Sequence, residues 1–345
     1  MDLLRELCET PGVSGREERL RAIVRRELEP LADEVRVDAL GNAIFERRGR
    51  GSRRLMIAAH MDEIGFYVTH VDNRGFLRLA PVGGHDPRNM VAQRVLVSGR
   101  KDLPGILYPG CKPPHLQEAD ERDRAPKIGA FFVDLGLPVE QVREQVPVGS
   151  MVTIAREFCE IGENVCCKAM DNRLALYIMI EAIRRAGPSG FDVYAVATTQ
   201  EEVGLRGAAV VSYEIQPEVA VALDVTIAAD LPEMPEAEYV TRLGGGTAIK
   251  LMDSSSISSP PLVAFLQALA ERRGIPYQFE ILPRGGTDAG AMQRARAGAP
   301  TVTISTPTRY VHTSVEMANR ADIEASIALL AAFIEEGDAG DYRLV

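Results

Sequence analysis

Apolar runs of strand length recur along this chain, and most of them lead straight into a carboxylate or an imidazole. Leu55–Ala59 runs into His60, Val193–Thr199 into the pair Glu201 and Glu202, Val219–Leu223 into Asp224, and Pro300–Ile304 toward His312. Asp171 stands at the opening of a helical pattern that begins at Asn172. Open parallel α/β sheets bind ligands beyond the carboxyl ends of their strands, so side chains far apart in sequence can meet at one sheet edge. The pattern predicts an α/β chain with a largely parallel, mixed sheet flanked by helices.

The spacing of the other elements fills in that expectation. Ser14 and Glu17 have the S-x-x-E spacing of a capping box, which predicts a helix running to about Pro30. Helices are predicted over Asn172–Ala186, Pro260–Arg273 and Ala321–Glu336, a strand over Phe191–Thr198, and a helix or strand start at Ala208–Val211. Alternating helix and strand imply βαβ units with helices on both sheet faces. The segment 64–156 differs: short alternating pieces are punctuated by turns such as Asp72-Asn73-Arg74-Gly75 and Val82-Gly83-Gly84. It predicts a small β-rich domain (64–156) inserted into a discontinuous larger domain (1–63 and 157–345). At 345 residues, two domains are also expected from size alone.

Composition narrows the classes. A net charge of −10 argues against a nucleic-acid partner, since phosphate binding needs a basic face. No apolar run reaches the roughly 20 residues that span a bilayer. The charged start MDLLRELCETPG carries no signal-peptide core, and the five cysteines form no CxxC pair, so a cytoplasmic protein is expected.

The chemistry lies in the strand-end residues. Imidazole suits zinc or cobalt, and in His60-Met61-Asp62 the carboxylate two residues on can orient the ring through its other nitrogen. Asp171 by itself reads as a helix N-cap, a role compatible with ligation through its second oxygen. Adjacent Glu201 and Glu202 at a strand end raise each other's pKa unless a cation is near. Successive side chains of extended backbone point apart. One can therefore ligate while its neighbour serves as general base. Two ions about 3.5–4 Å apart need one bridging carboxylate and one or two terminal ligands each. His60, Asp171, Glu202, Asp224 and His312 supply that number and leave Glu201 over. The mixed nitrogen and oxygen set without thiolate points to Zn or Co, with Mn as a further candidate. His70, His85 and His115 lie in the inserted segment and are left out. The turn Gly285–Gly290, with Gly286, Thr287 and Asp288, is a candidate substrate-binding element, with an ordinary capped turn as an equal alternative; Arg309 is a further candidate.

These residues sit in segments that closely resemble the M42 family of dinuclear metallo-aminopeptidases: AAHMDEIGF (58–66), PPHL (113–116), AMDNRLALY (169–177), TTQEEVGLRGA (198–208), ALDVT (222–226), GGTDAG (285–290) and RYVHTSVE (309–316). The resemblance implies a phosphorylase/hydrolase-like exopeptidase fold. It implies His60 and Asp224 on one ion, Glu202 and His312 on the other, Asp171 bridging, Glu201 as general base and Asp62 orienting His60. It also implies short peptide substrates cleaved from the free N terminus, an inserted domain that mediates dimer contacts, and a dodecamer built from six dimers. The acidic loop Ala228–Thr241 would disfavour acidic substrates if it lined the pocket. Two rivals remain open: an endo-β-1,4-glucanase-type glycosidase, which needs two carboxylates and no metal, and a non-catalytic peptide-binding assembly protein.

Overall fold

The computed structural model describes residues 1–112, 114–116, 118 and 125–344. Pro113 of the PPHL segment therefore lies outside the described residues. Two strand systems organise the chain. The first opens with β1 (Glu34–Val37), β2 (Ala43–Arg47) and β3 (Arg53–His60). The second follows with β4 (Gly65–Val71), β5 (Leu77–Val82), β6 (Gln93–Ser98), β7 (Asp102–Pro109), β8 (Phe131–Asp134) and β9 (Met151–Ile154). The chain then returns to the first system with β10 (Cys159–Ile161), β11 (Asn164–Cys167), β12 (Phe191–Thr198), β13 (Val219–Ile227), β14 (Thr247–Met252), β15 (Tyr277–Ile281), β16 (Thr301–Arg309) and β17 (Glu316–Asn319).

The first system is one mixed sheet in the order β1-β2-β12-β3-β13-β16-β17-β11-β10, with β14 joined to β16 and β15 to β14. Its centre, β12-β3-β13-β16, is parallel, and antiparallel strands flank it on both sides. The alternation of a strand buried on both faces is visible in β3. Leu55, Ile57 and Ala59 pack toward one helical layer, while Met56 and Ala58 pack toward the other. The first layer contains the helices Glu18–Leu28, Met170–Arg185, Pro260–Arg273 and Arg320–Glu336. The second contains Arg206–Ile215 and the short Ala289–Met292. The ambiguous Ala208–Val211 thus belongs to a helix.

β4 to β9 form a separate closed barrel in the order β4-β5-β8-β7-β6-β9, with its own core around Phe66, Leu77, Val95, Leu107, Phe131 and Val133. Closure removes the unpaired strand edges that a six-stranded antiparallel sheet would otherwise expose.

Two local expectations are corrected. Ser14 and Glu17 form no capping box: the helix starts at Glu18, and neither side chain caps it. Ser14 Oγ donates to buried Asp62 instead (2.6 Å), and Glu17 Oε1 accepts from the backbone of Gly15 (2.7 Å) and Gln200 (3.1 Å). A charged acceptor inside the protein outcompetes a helix terminus that water can satisfy. Asp171 likewise is not an N-cap. Asp171 and Asn172 have non-helical backbone angles, and the Asp171 carboxylate turns toward His60 and His312 instead of the helix N–H groups.

Candidate metal centre

Parallel register brings the strand ends together. His60 at the end of β3 pairs with Thr198 at the end of β12. On the other side Ala222 pairs with Ala58, so Asp224 falls two residues further along, level with His60. Beyond β12 the chain turns at Gln200 (φ 54°) and presents Glu201 and Glu202. His312 comes from the turn after β16, and Asp171 from the entrance of helix Met170–Arg185. All five expected metal ligands and Glu201 line one cavity of about 510 Å³, ample for the end of a short peptide.

The bridging geometry rests on Asp171. Its Oδ1 lies 3.2 Å from His60 Nε2, and its Oδ2 lies 3.2 Å from His312 Nε2. Around the first imidazole, Glu201 Oε2 is 3.9 Å and Asp224 Oδ1 4.0 Å away; at the second, Glu202 Oε1 is 3.5 Å away. Two sets of donor atoms lie within 4.8 Å of one another: His60, Asp171 and Glu202, and His60, Glu201 and Asp224. Glu201 is therefore within reach of the same pole as Asp224.

The surroundings hold these groups. Asp62 is fully buried, and its carboxylate accepts from the backbone N–H of Glu201 and of Glu202, both at 3.1 Å, and from Ser14. His60 Nδ1 lies 3.1 Å from the Asp62 carbonyl and 3.3 Å from its carboxylate. Both acceptors keep a proton on Nδ1 and leave Nε2 free toward Asp171. Burial by itself would raise the Asp62 carboxyl, but the bonds from His60, Ser14 and Glu201 hold it below its ordinary value. Buried Glu316 joins the other pole, accepting from the backbone of Asp171 (2.9 Å) and of His312 (2.7 Å). Asn172 donates to the carbonyl of Leu223, beside Asp224.

Electrostatics test whether divalent ions fit here. Burial pushes the Glu201 and Asp224 carboxyls well above their ordinary values, and neighbouring carboxylates add to this. Burial opposes charge on His312 too, yet Asp171 and Glu202 together raise it to about 12. Four carboxylates outweigh two imidazolium ions, whereas two divalent cations would balance them with both rings neutral. The donors are hard oxygens and imidazole nitrogen with no thiolate, a set suited to Zn, Co or Mn. The residues fit the metals.

The other expected residues divide. Gly286 and Thr287 line the cavity. Asp288 is buried, where Thr198 Oγ1 donates to one oxygen and the other has no hydrogen-bond partner among the described residues; burial pushes its carboxyl up to about 6. Arg309 is absent from the cavity wall and makes a two-pronged ion pair with Asp230 at 2.8 and 2.6 Å. That pair turns the loop Ala228–Thr241 to a structural task, and its acidic residues do not line the cavity. The cavity lining includes Thr226, Ile227, Lys250, Leu282 and Arg284 instead. Glu63, Lys168, Arg173 and Glu316 were not singled out from the sequence. Glu63, Arg173 and Glu316 lie within the segments 58–66, 169–177 and 309–316, and Lys168 directly precedes the second; that placement was the one signal that could have found them.

Glu17 offers a pH test. Burial raises its carboxyl from the ordinary 4.5 to about 7. A carboxyl whose pKa is raised on folding favours the protonated folded state, so stability is lost as pH rises through 7 and regained on acidification toward 4.5. Relative to Glu17→Gln, the wild type should therefore gain stability in denaturant melts between pH 8 and pH 5. A pH-independent difference would contradict this.

Comparison with known proteins now places the chain. The profile of the M42 glutamyl aminopeptidase family matches residues 41–329. The chain belongs to that family. It is 38% identical over 349 residues to the lysyl aminopeptidase of Pyrococcus furiosus, covering 99% of this chain and 98% of the relative. Among solved structures, aminopeptidase APDkam598 from the archaeon Desulfurococcus kamchatkensis is 37% identical with a TM-score of 0.93, over 97% of this chain and 94% of that one. The TET1 peptidase of Pyrococcus horikoshii, which can assemble into a tetrahedron or a large octahedral shell, is 32% identical with a TM-score of 0.87, over 97% and 99%. This M42 member is an aminopeptidase, a hydrolase acting at peptide N termini, and its family is one of metallopeptidases. None of its described helices is long and apolar enough to cross a membrane.

Proposed function

We propose that this M42 aminopeptidase trims short peptides with two divalent ions, Zn or Co and alternatively Mn. His60 and Asp224 hold one, Glu202 and His312 the other, and Asp171 holds both. The observation that carries this reading is that the two oxygens of Asp171 face two different histidines. When bound, such a pair supplies positive charge that acidifies water and polarises a carbonyl oxygen.

The protein's own groups do the rest. Asp62 fixes the His60 ring through Nδ1 and the backbone of Glu201 and Glu202 through its carboxylate. Glu201 takes the proton from the attacking water and delivers it to the nitrogen of the leaving amine. Gly286 and Thr287 border the space for the peptide. Segment 64–156 acts as an inserted dimerisation domain, a reading supported by exposed Ile106 and Val148 on and beside the barrel strands. Six dimers form a dodecamer, and the enzyme works in the cytoplasm; free thiols on all five cysteines suit that compartment.

The test is to strip the protein with chelator, restore Zn, Co or Mn, and assay aminoacyl-anilides beside a soluble β-glucan. Anilide cleavage should vanish with the metal and return with at least one of the three. Chelator-resistant glucan cleavage without anilide turnover would overturn the reading.

A further inference from the structure

The S-x-x-E motif that fails to cap a helix ends in the catalytic machinery instead. Its segment, Gly12–Glu17, is a loop held from three sides before it touches the site. The Arg173 guanidinium, fully buried, donates to the carbonyls of Leu7, Thr10 and Gly12. Glu63, itself paired with buried Lys168 at 2.8 Å, accepts from the backbone N–H of Gly12. From the barrel, the Tyr67 hydroxyl donates to the carbonyl of Ser14 at 2.9 Å. Gly15 makes the turn with φ of 86°, a conformation that favours glycine.

Two side chains of this pinned loop reach the acidic turn. Ser14 Oγ donates to Asp62 Oδ2, the same oxygen that accepts from the backbone of Glu202. Glu17 accepts from the backbone N–H of Gln200, the left-handed residue that begins the turn. Both side chains are buried. We propose that Ser14 and Glu17 are positioning residues. Ser14 holds the Asp62 carboxylate in the orientation that clamps Glu201 and Glu202, and Glu17 holds the turn at Gln200. The inference rests on the proposed role of Glu201, and it makes the N-terminal loop part of the active site although none of residues 12–17 lines the cavity. Through Tyr67, the barrel bears on the same loop.

The test compares Ser14→Ala and Glu17→Ala with the conservative Ser14→Thr and Glu17→Gln, which keep a hydroxyl and a carbonyl acceptor. In the Ala variants kcat should fall about 10-fold, near the lower end for groups one step behind a metal ligand, with KM little changed. In metal-free protein, hydrogen exchange should accelerate at the Glu201 and Glu202 amides in Ser14→Ala, because their acceptor Asp62 is no longer held, and at the Gln200 amide in Glu17→Ala, which loses its acceptor. The conservative variants should recover both readouts. Wild-type kcat and exchange in the Ala variants would overturn the proposal, as would equal losses in the conservative ones. If the wild type itself lacks aminopeptidase turnover, the reading of the site fails and exchange alone decides: faster exchange supports positioning, and unchanged exchange overturns it.

Discussion

Glu201→Gln is expected to keep its metal and lose about 10²–10⁴-fold in kcat, the usual contribution of a positioned general acid–base group. The substitution preserves shape and hydrogen-bonding reach but removes the ability to accept a proton. Glu201 lines the cavity, its Oε2 is 3.9 Å from His60 Nε2, and its backbone N–H is tied to Asp62. Glutamine at this position keeps that backbone bond, so the turn, the neighbouring Glu202 and peptide binding should survive. The check is steady-state hydrolysis of an aminoacyl-anilide, run beside elemental analysis of the same preparation. A kcat near wild type would remove Glu201 from the base role. Loss of metal in step with activity would instead make it a ligand, an outcome its distance to His60 keeps worth measuring.

Asp171→Asn is expected to cost at least half of the bound metal and to reduce turnover to background. A carboxylate offers an acceptor in two directions at once, and Asp171 uses both, toward His60 and toward His312. An amide offers one oxygen, and its NH₂ would face whichever pole loses it. The backbone N–H of Asp171 would still donate to Glu316, so the turn into the helix should stay in place. Metal content by mass spectrometry and circular dichroism on the same sample separate ligand loss from misfolding. Wild-type stoichiometry would refute the bridging assignment.

Much of the architecture was legible because its causes are local. Apolar runs of strand length, helices bounded by Pro260 and Gly274, and a switch to short alternating strands after Ile64 all express burial patterns that repeat along the chain. Six strands escaped: β8, β10, β11 and β17 have only three or four residues each, and β14 and β15 sit to one side of the main strand order. The pairing of β14 with β16, and of β11 with β17, depends on partners far away in sequence, which no local pattern records.

The candidate site divides the same way. By itself the sequence determined which side chains stand at the strand ends, since a parallel sheet aligns its carboxyl ends whatever the loops do. Tertiary structure alone decided what the remaining polar groups do. Ser14 chooses Asp62, 48 residues on, over a helix terminus three residues away, and Glu17 meets the backbone of Gln200 across 183 residues. Arg309 is claimed by Asp230 rather than by the cavity. Ser14 and Glu17 had a plausible local role as a capping box, and Arg309 a plausible one at the substrate. Ser14 and Glu17 are themselves buried, and a polar group withdrawn from water must be satisfied by protein, wherever in the chain that partner lies; burial is a property of the folded chain.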